Sequence, residues 1–96
     1  MRLSEREQEA IKAAVAALDR EARVYLYGSR VGDSSRGGDI DLLVISDTLD
    51  FSGKIALLAD IKCRIGEQKI DLSIKKGAEL EEDAFVRSIL PTAVLL

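Results

Sequence analysis

The chain has 96 residues, 47% of them hydrophobic and 32% charged, with a net charge of −3; this suits one soluble globular domain over residues 1–96. The absence of histidine excludes zinc sites and His-dependent triads, and the lack of any basic run argues against non-specific binding along a nucleic-acid backbone. No stretch approaches the ~20 apolar residues of a membrane span and the start lacks a signal peptide's apolar centre, so the expected setting is cytoplasmic, with the lone Cys63 a small hydrophobe on a helix.

Ser4 followed by Glu7 has the spacing of a capping box, and Ile11, Ala14, Val15 and Leu18 repeat at helical intervals, which predicts an amphipathic helix over residues 5–20. Val24 to Tyr27 is a short apolar and aromatic run ending at glycine, as a buried strand would. Residues 28–38 hold four glycines and three serines and form a loop whose backbone can take conformations other residues resist. Ile40 to Ile45 resumes as a strand, almost wholly apolar and therefore central in its sheet. Ile55, Leu58, Ile61, Lys62 and Ile65 then follow a helical period, with Gly66 placed as a C-terminal cap, predicting a crossover helix over residues 51–65.

From Lys69 to Lys75 the pattern alternates: Ile70, Leu72 and Ile74 lie on one face, Lys69, Asp71, Ser73 and Lys75 on the other. Four acidic residues between Glu79 and Asp83 mark the expected start of another helix, with Phe85, Ile89 and Leu90 as its apolar side and Pro91 at its end; Thr92 to Leu96 close as a short strand. The loop of residues 28–38 is too short for a parallel crossover, so the first two strands should be antiparallel, while the helix of residues 51–65 lets the second and third run parallel. The expected fold is α/β of the α+β kind, a small mixed sheet of about four strands with helices packed on it.

Aspartate is depleted in strands, yet Asp39 and Asp41 sit two apart at the head of the second strand, where alternation turns both to one face. Carboxylates so placed repel and raise each other's pKa unless a cation lies between them. Oxygen-only ligands suit Mg²⁺ or Mn²⁺. If the third strand lies beside the second, Asp71 joins the same face, and three acids can hold the paired metal ions used in phosphoryl or nucleotidyl transfer. Gly28 permits close backbone approach, Ser29 offers a hydroxyl and backbone N–H groups to a phosphate, and Arg30 and Arg36 could neutralise a triphosphate.

Gly28-Ser29, a nine-residue spacer, Asp39-Ile40-Asp41 and a later strand Asp71 resemble the nucleotidyltransferase superfamily of DNA polymerase beta type in its minimal single-domain form. The spacer is one residue shorter than the commonest minimal form, and Gly38 stands where serine often precedes the first aspartate. The resemblance implies that Asp39 and Asp41 bind Mg²⁺, that Asp71 helps bind the metal and activates an acceptor hydroxyl, and that Ser29 holds the nucleotide's phosphates. It further implies transfer of a nucleoside monophosphate, AMP from ATP, and a separately encoded, all-helical HEPN partner of the toxin and antitoxin kind; a homodimer is a second way to complete the acceptor site. The rival reading is a non-catalytic nucleotide- or partner-binding module that keeps the fold. Tyr25 and Tyr27 are expected to pack rather than to stack on a base.

Overall fold

The fold begins with a reciprocal cap. In the computed structural model, which describes residues 3–28, 31 and 39–96, the Glu7 N–H donates to Ser4 Oγ at 3.1 Å and the Ser4 N–H to Glu7 Oε1 at 3.0 Å. The helix so opened, α1 (Glu5–Leu18), buries Ile11, Ala14 and Val15. It stops two residues short of the expected end because Asp19 is extended, at φ −153° and ψ 107°. Its carboxylate is engaged elsewhere: Ser46 Oγ donates to Oδ2 at 2.6 Å, Thr48 Oγ1 to the same oxygen at 3.1 Å, and the Glu21 N–H to Oδ1 at 3.0 Å. Leu18, expected in the apolar stripe, is consequently 42% exposed.

Strands β1 (Arg23–Tyr27) and β2 (Ile40–Ile45) pair antiparallel, with Val24 opposite Val44 and Tyr27 opposite Asp41. Helix α2 (Phe51–Ile65) is capped by Asp50, whose Oδ1 accepts the Gly53 N–H at 2.9 Å, and ends at Gly66, where φ is +90°. It carries the chain over to β3 (Ile70–Lys75), parallel to β2. The final segment, β4 (Val94–Leu95), returns antiparallel to β1 and completes the sheet in the order β3-β2-β1-β4. Nearly every sequence expectation about strand order and direction is met, and β2 occupies an interior position.

Two unequal layers flank the sheet. On one face α1 and α2 pack over Val24, Leu26, Ile40, Leu42, Val44 and Leu72. On the other, the short helix α3 (Ala84–Ile89) sets Val86 against Leu43 and Ile45, with Tyr25 and Tyr27 at the margin. Fully burying one such leucine contributes about 1.5–3 kcal/mol, and β2 contributes to both layers, which is why its sequence is apolar at successive positions. Asp41 is the one residue of β2 that is not fully buried.

Three expectations need correction. The helix expected from the acidic run begins only at Ala84, because those acids are used as caps: Glu79 Oε1 accepts the Lys76 N–H at 3.2 Å around a 3-10 turn (Gly77–Glu79), and Asp83 Oδ1 accepts the Val86 N–H at 3.1 Å. In α2, Leu57 and Ile61 are buried while Ile55 is 54% exposed, since the inward stripe runs through Leu57, Leu58, Ile61 and Ile65. Cys63 lies on that helix but on its exposed side. Among the described residues no helix is long and apolar enough to cross a membrane.

Candidate active site

The second and third strands bring their acids together by register. Parallel pairing sets Ile40 beside Ile70 and Asp41 beside Asp71, and residues in register on neighbouring strands share a face. That face is opposite the one bearing Ile70, Leu72 and Ile74, which pack towards α1 and α2. On the antiparallel side Tyr27 is the direct partner of Asp41, so Tyr27, Asp41 and Asp71 form one row across three strands. Asp39, just ahead of β2, precedes this row by one step of the alternation.

Among the described residues the row gathers like charges. Partial burial pushes the Asp41 carboxyl above the usual carboxylate range, and the charges of Asp71 and Asp39 push it further. The Tyr27 phenol is likewise raised, first by burial and then by Asp71 and Asp41, against a lowering contribution from the Ser73 hydroxyl. Asp39 has a cation close by: Lys69 Nζ stands 3.8 Å from its Oδ2, with the lysine 84% exposed. An ion pair this open to solvent contributes little.

Gly28 closes β1 with φ at +79°, a conformation that only glycine takes without cost. There is a second reason for glycine here. A Cβ at this position would run into the Asp41 carboxylate, with Asp41 Cγ at 3.1 Å. The turn therefore lies directly against the acid. Ser29, Arg30 and Arg36, the other residues expected at the phosphates, lie outside the described residues.

The donor set suits a hard divalent cation. Asp41 and Asp71 are oxygen donors side by side, and the raised proton affinity of Asp41 is a conflict that such an ion would relieve. Among the described residues no group of three acids is placed to hold a metal ion as they stand; of the three expected ligands, Asp41 and Asp71 are in register, and Asp39 lies near enough for its charge to act on Asp41. A cavity of about 290 Å³ lies elsewhere, lined by Ser46, Phe51, Lys54, Lys75 and Lys76 among others; it shares no residue with the acid row.

Sequence reasoning brought out all three acids and Gly28 but passed over the surroundings of the row. Tyr27 packs as expected, against Phe85 with ring centroids 5.7 Å apart at 81°, yet it is also a neighbour of the acids. Its position beside Asp41 follows from counting back across an antiparallel pairing, a signal present in the sequence once the short loop is taken as a turn. Phe85 carries no such signal, because its approach to the row depends on where α3 lies.

A mixed sheet whose one parallel pair, an interior strand and its edge neighbour, sets two carboxylates side by side next to a glycine turn is a scaffold on which metal-assisted group transfer can be built. The chain belongs to the nucleotidyltransferase domain family, which matches residues 9–95. That membership makes it a nucleotidyltransferase by domain, of a family that generally uses a nucleoside triphosphate and a divalent metal ion. No curated protein matches the chain significantly.

Proposed function

We propose that the protein is a Mg²⁺-dependent nucleotidyltransferase that moves AMP from ATP to an acceptor hydroxyl and releases pyrophosphate. The observation that carries this reading is the register of β2 and β3, which makes Asp41 and Asp71 immediate neighbours. Asp41 and Asp71 would hold the metal, joined by Asp39 once its carboxylate leaves Lys69. When bound, the cation neutralises charge that develops around the α-phosphate. Mn²⁺ has the same ligand preferences.

The chain's own groups then have distinct tasks. Gly28 lets the phosphates approach the backbone beside Asp41, and Ser29, Arg30 and Arg36 are assigned to the triphosphate from the sequence. Asp71 lies on the outer strand and is exposed, so its carboxylate oxygen is the accessible base for the acceptor's hydroxyl proton. The freed oxygen bonds to the α-phosphorus as the bond to the β-phosphate oxygen breaks. The acceptor is assigned, from the resemblance alone, to a tyrosine of a separately encoded all-helical HEPN protein.

The test is transfer of label from [α-³²P]ATP with Mg²⁺ to a co-expressed partner protein, using Asp39→Asn, Asp41→Asn and Asp71→Asn. Transfer by the wild type and its loss in the Asp41 and Asp71 variants is the expected result. Equal transfer by all four proteins would overturn the metal assignment. Nucleotide binding without transfer to any acceptor, with partner neutralisation intact in every variant, would favour the non-catalytic module.

A further inference from the structure

Phe85 is a large apolar side chain left 39% exposed, in a chain with only two phenylalanines and two tyrosines. Its neighbour Val86 is completely buried and pins α3 to Leu43 and Ile45. Phe85 is thereby held over the margin of the sheet, edge to face with Tyr27. Tyr27 in turn stands beside Asp41 in the row of acids. One aromatic pair thus runs from the row of acids to α3 on the same face of the sheet, and its outer member is open to solvent.

Resting on the proposed ATP-dependent reaction, we infer that the Tyr27 and Phe85 pair is the wall against which the nucleobase packs, with Phe85 making the contact and Tyr27 holding it. The direction follows from the flanks of the acid row. Gly28 lies at the end of β1, directly against Asp41, and the proposed reaction puts the phosphates at this turn. A nucleotide whose phosphates lie at that turn has its sugar and base left to span the same face, and the aromatic pair borders it. A base gains from stacking on an exposed ring and needs no specific hydrogen bond to do so. Tyr27 supports the ring from its half-buried position, so that Phe85 is presented without its own burial.

The absence of tryptophan makes the inference directly readable. Phe85→Trp gives a protein with a single indole at the wall, and Phe51→Trp gives a control, since Phe51 is 74% exposed on α2, the helix that packs on the opposite face. With Mg²⁺ present and no acceptor, ATP should change the emission of Phe85→Trp and leave that of Phe51→Trp unchanged. Inorganic tripolyphosphate should bind without changing either. Phe85→Ala should bind ATP roughly tenfold more weakly with tripolyphosphate affinity unaltered, and Phe85→Leu, which keeps apolar volume without a ring, should fall between and serves if the alanine variant does not fold. If calorimetry shows ATP binding to the wild type while Phe85→Trp stays silent and Phe85→Leu binds as tightly as wild type, the wall is refuted and the transferase reading stands. No ATP binding to the wild type at all would instead overturn that reading and the wall with it.

Discussion

Asp41 and Asp71 are direct partners across the parallel pairing of β2 and β3, although thirty residues of chain and a whole helix separate them. Because burial and its two acidic neighbours raise the Asp41 pKa, the folded protein holds that proton more tightly than the unfolded chain, whose aspartates titrate near ~3.9. Ionised Asp41 therefore destabilises the metal-free fold at neutral pH, and the penalty disappears as pH falls through the raised pKa. Asp41→Asn should melt higher than wild type at pH 7 without metal, converge with it in acid, and lose activity by at least the roughly 10–100-fold that follows loss of even an outer-shell partner of a metal site. Thermal melts from pH 7 down to pH 3 with EDTA check this; a variant less stable than wild type at pH 7 would contradict it.

Gly28→Ala should be costly for two separable reasons. The positive φ alone costs about 1–2 kcal/mol for a residue with a Cβ, and the new methyl also meets the Asp41 carboxylate. Only the second part vanishes when Asp41 is shortened. In a double-mutant cycle, Gly28→Ala should destabilise an Asp41→Ala background less than it destabilises the wild type. Equal costs in the two backgrounds would show that the contact carries no energy.

The start of α3 depends on Asp83, which both caps the helix and meets Lys75 Nζ at 2.9 Å. The Lys75 hydrogen bond first, then that of the Val86 N–H, hold the Asp83 carboxyl below its usual range. Its contribution is accordingly present above the unfolded-state pKa and is lost as pH falls through the depressed folded value. Asp83→Asn should keep the cap and lose the ion pair, whereas Asp83→Ala loses both. The expected order of melting temperature at pH 7 is wild type, then asparagine, then alanine; in strong acid wild type should converge on asparagine, while alanine, lacking the cap at any pH, stays lowest.

Ser46 is the one buried polar side chain among the described residues, at 3% exposure. Its hydroxyl donates to Asp19 and accepts the N–H groups of Thr48 and Leu49 at 3.2 and 3.1 Å. Ser46→Ala leaves those groups without their partner and should cost about 1–3 kcal/mol, each kcal/mol lowering the melting temperature by about 4–8 °C in a domain of this size. Asp19 is remote from the acid row in the chain and in its contacts, so nucleotide affinity should be unchanged below the transition. Calorimetry paired with ATP binding would separate the two effects.

The parts of this fold legible beforehand were those governed by short-range rules. The Ser4 and Glu7 box, the Gly66 cap, the apolar run of β2 and the alternation of β3 each follow from local spacing. The parallel pairing of β2 and β3 followed in turn from the length of α2. What was not legible depended on side chains finding distant partners. Asp19 ended α1 early by binding Ser46 and Thr48, and Asp83, held by Lys75, became the cap of α3 and not part of it; in both cases a carboxylate bonded to groups other than those of the helix interior it was expected to join. The site divides the same way. Asp39, Asp41, Asp71 and Gly28 belong to motifs with fixed spacing, while the approach of Phe85 to Tyr27 required knowing where α3 docks.

Because Asp41 and Asp71 meet only through a pairing that α2 makes feasible, the linker between α2 and β3 acts as a gauge for the chemistry. Sliding β3 by a single residue would turn Asp71 into the layer occupied by Leu72 and bring Leu72 out, erasing the acid pair while leaving composition and helices intact. One extra residue placed between Gly66 and Lys69 is absorbed by the loop as long as the Ile70 and Leu72 contacts hold β3 in place. The same insertion within β3 is not. Inserted-residue scanning across this stretch would therefore draw a sharp boundary, at one residue's resolution, between chain that merely connects and chain that sets the spacing of the reacting groups.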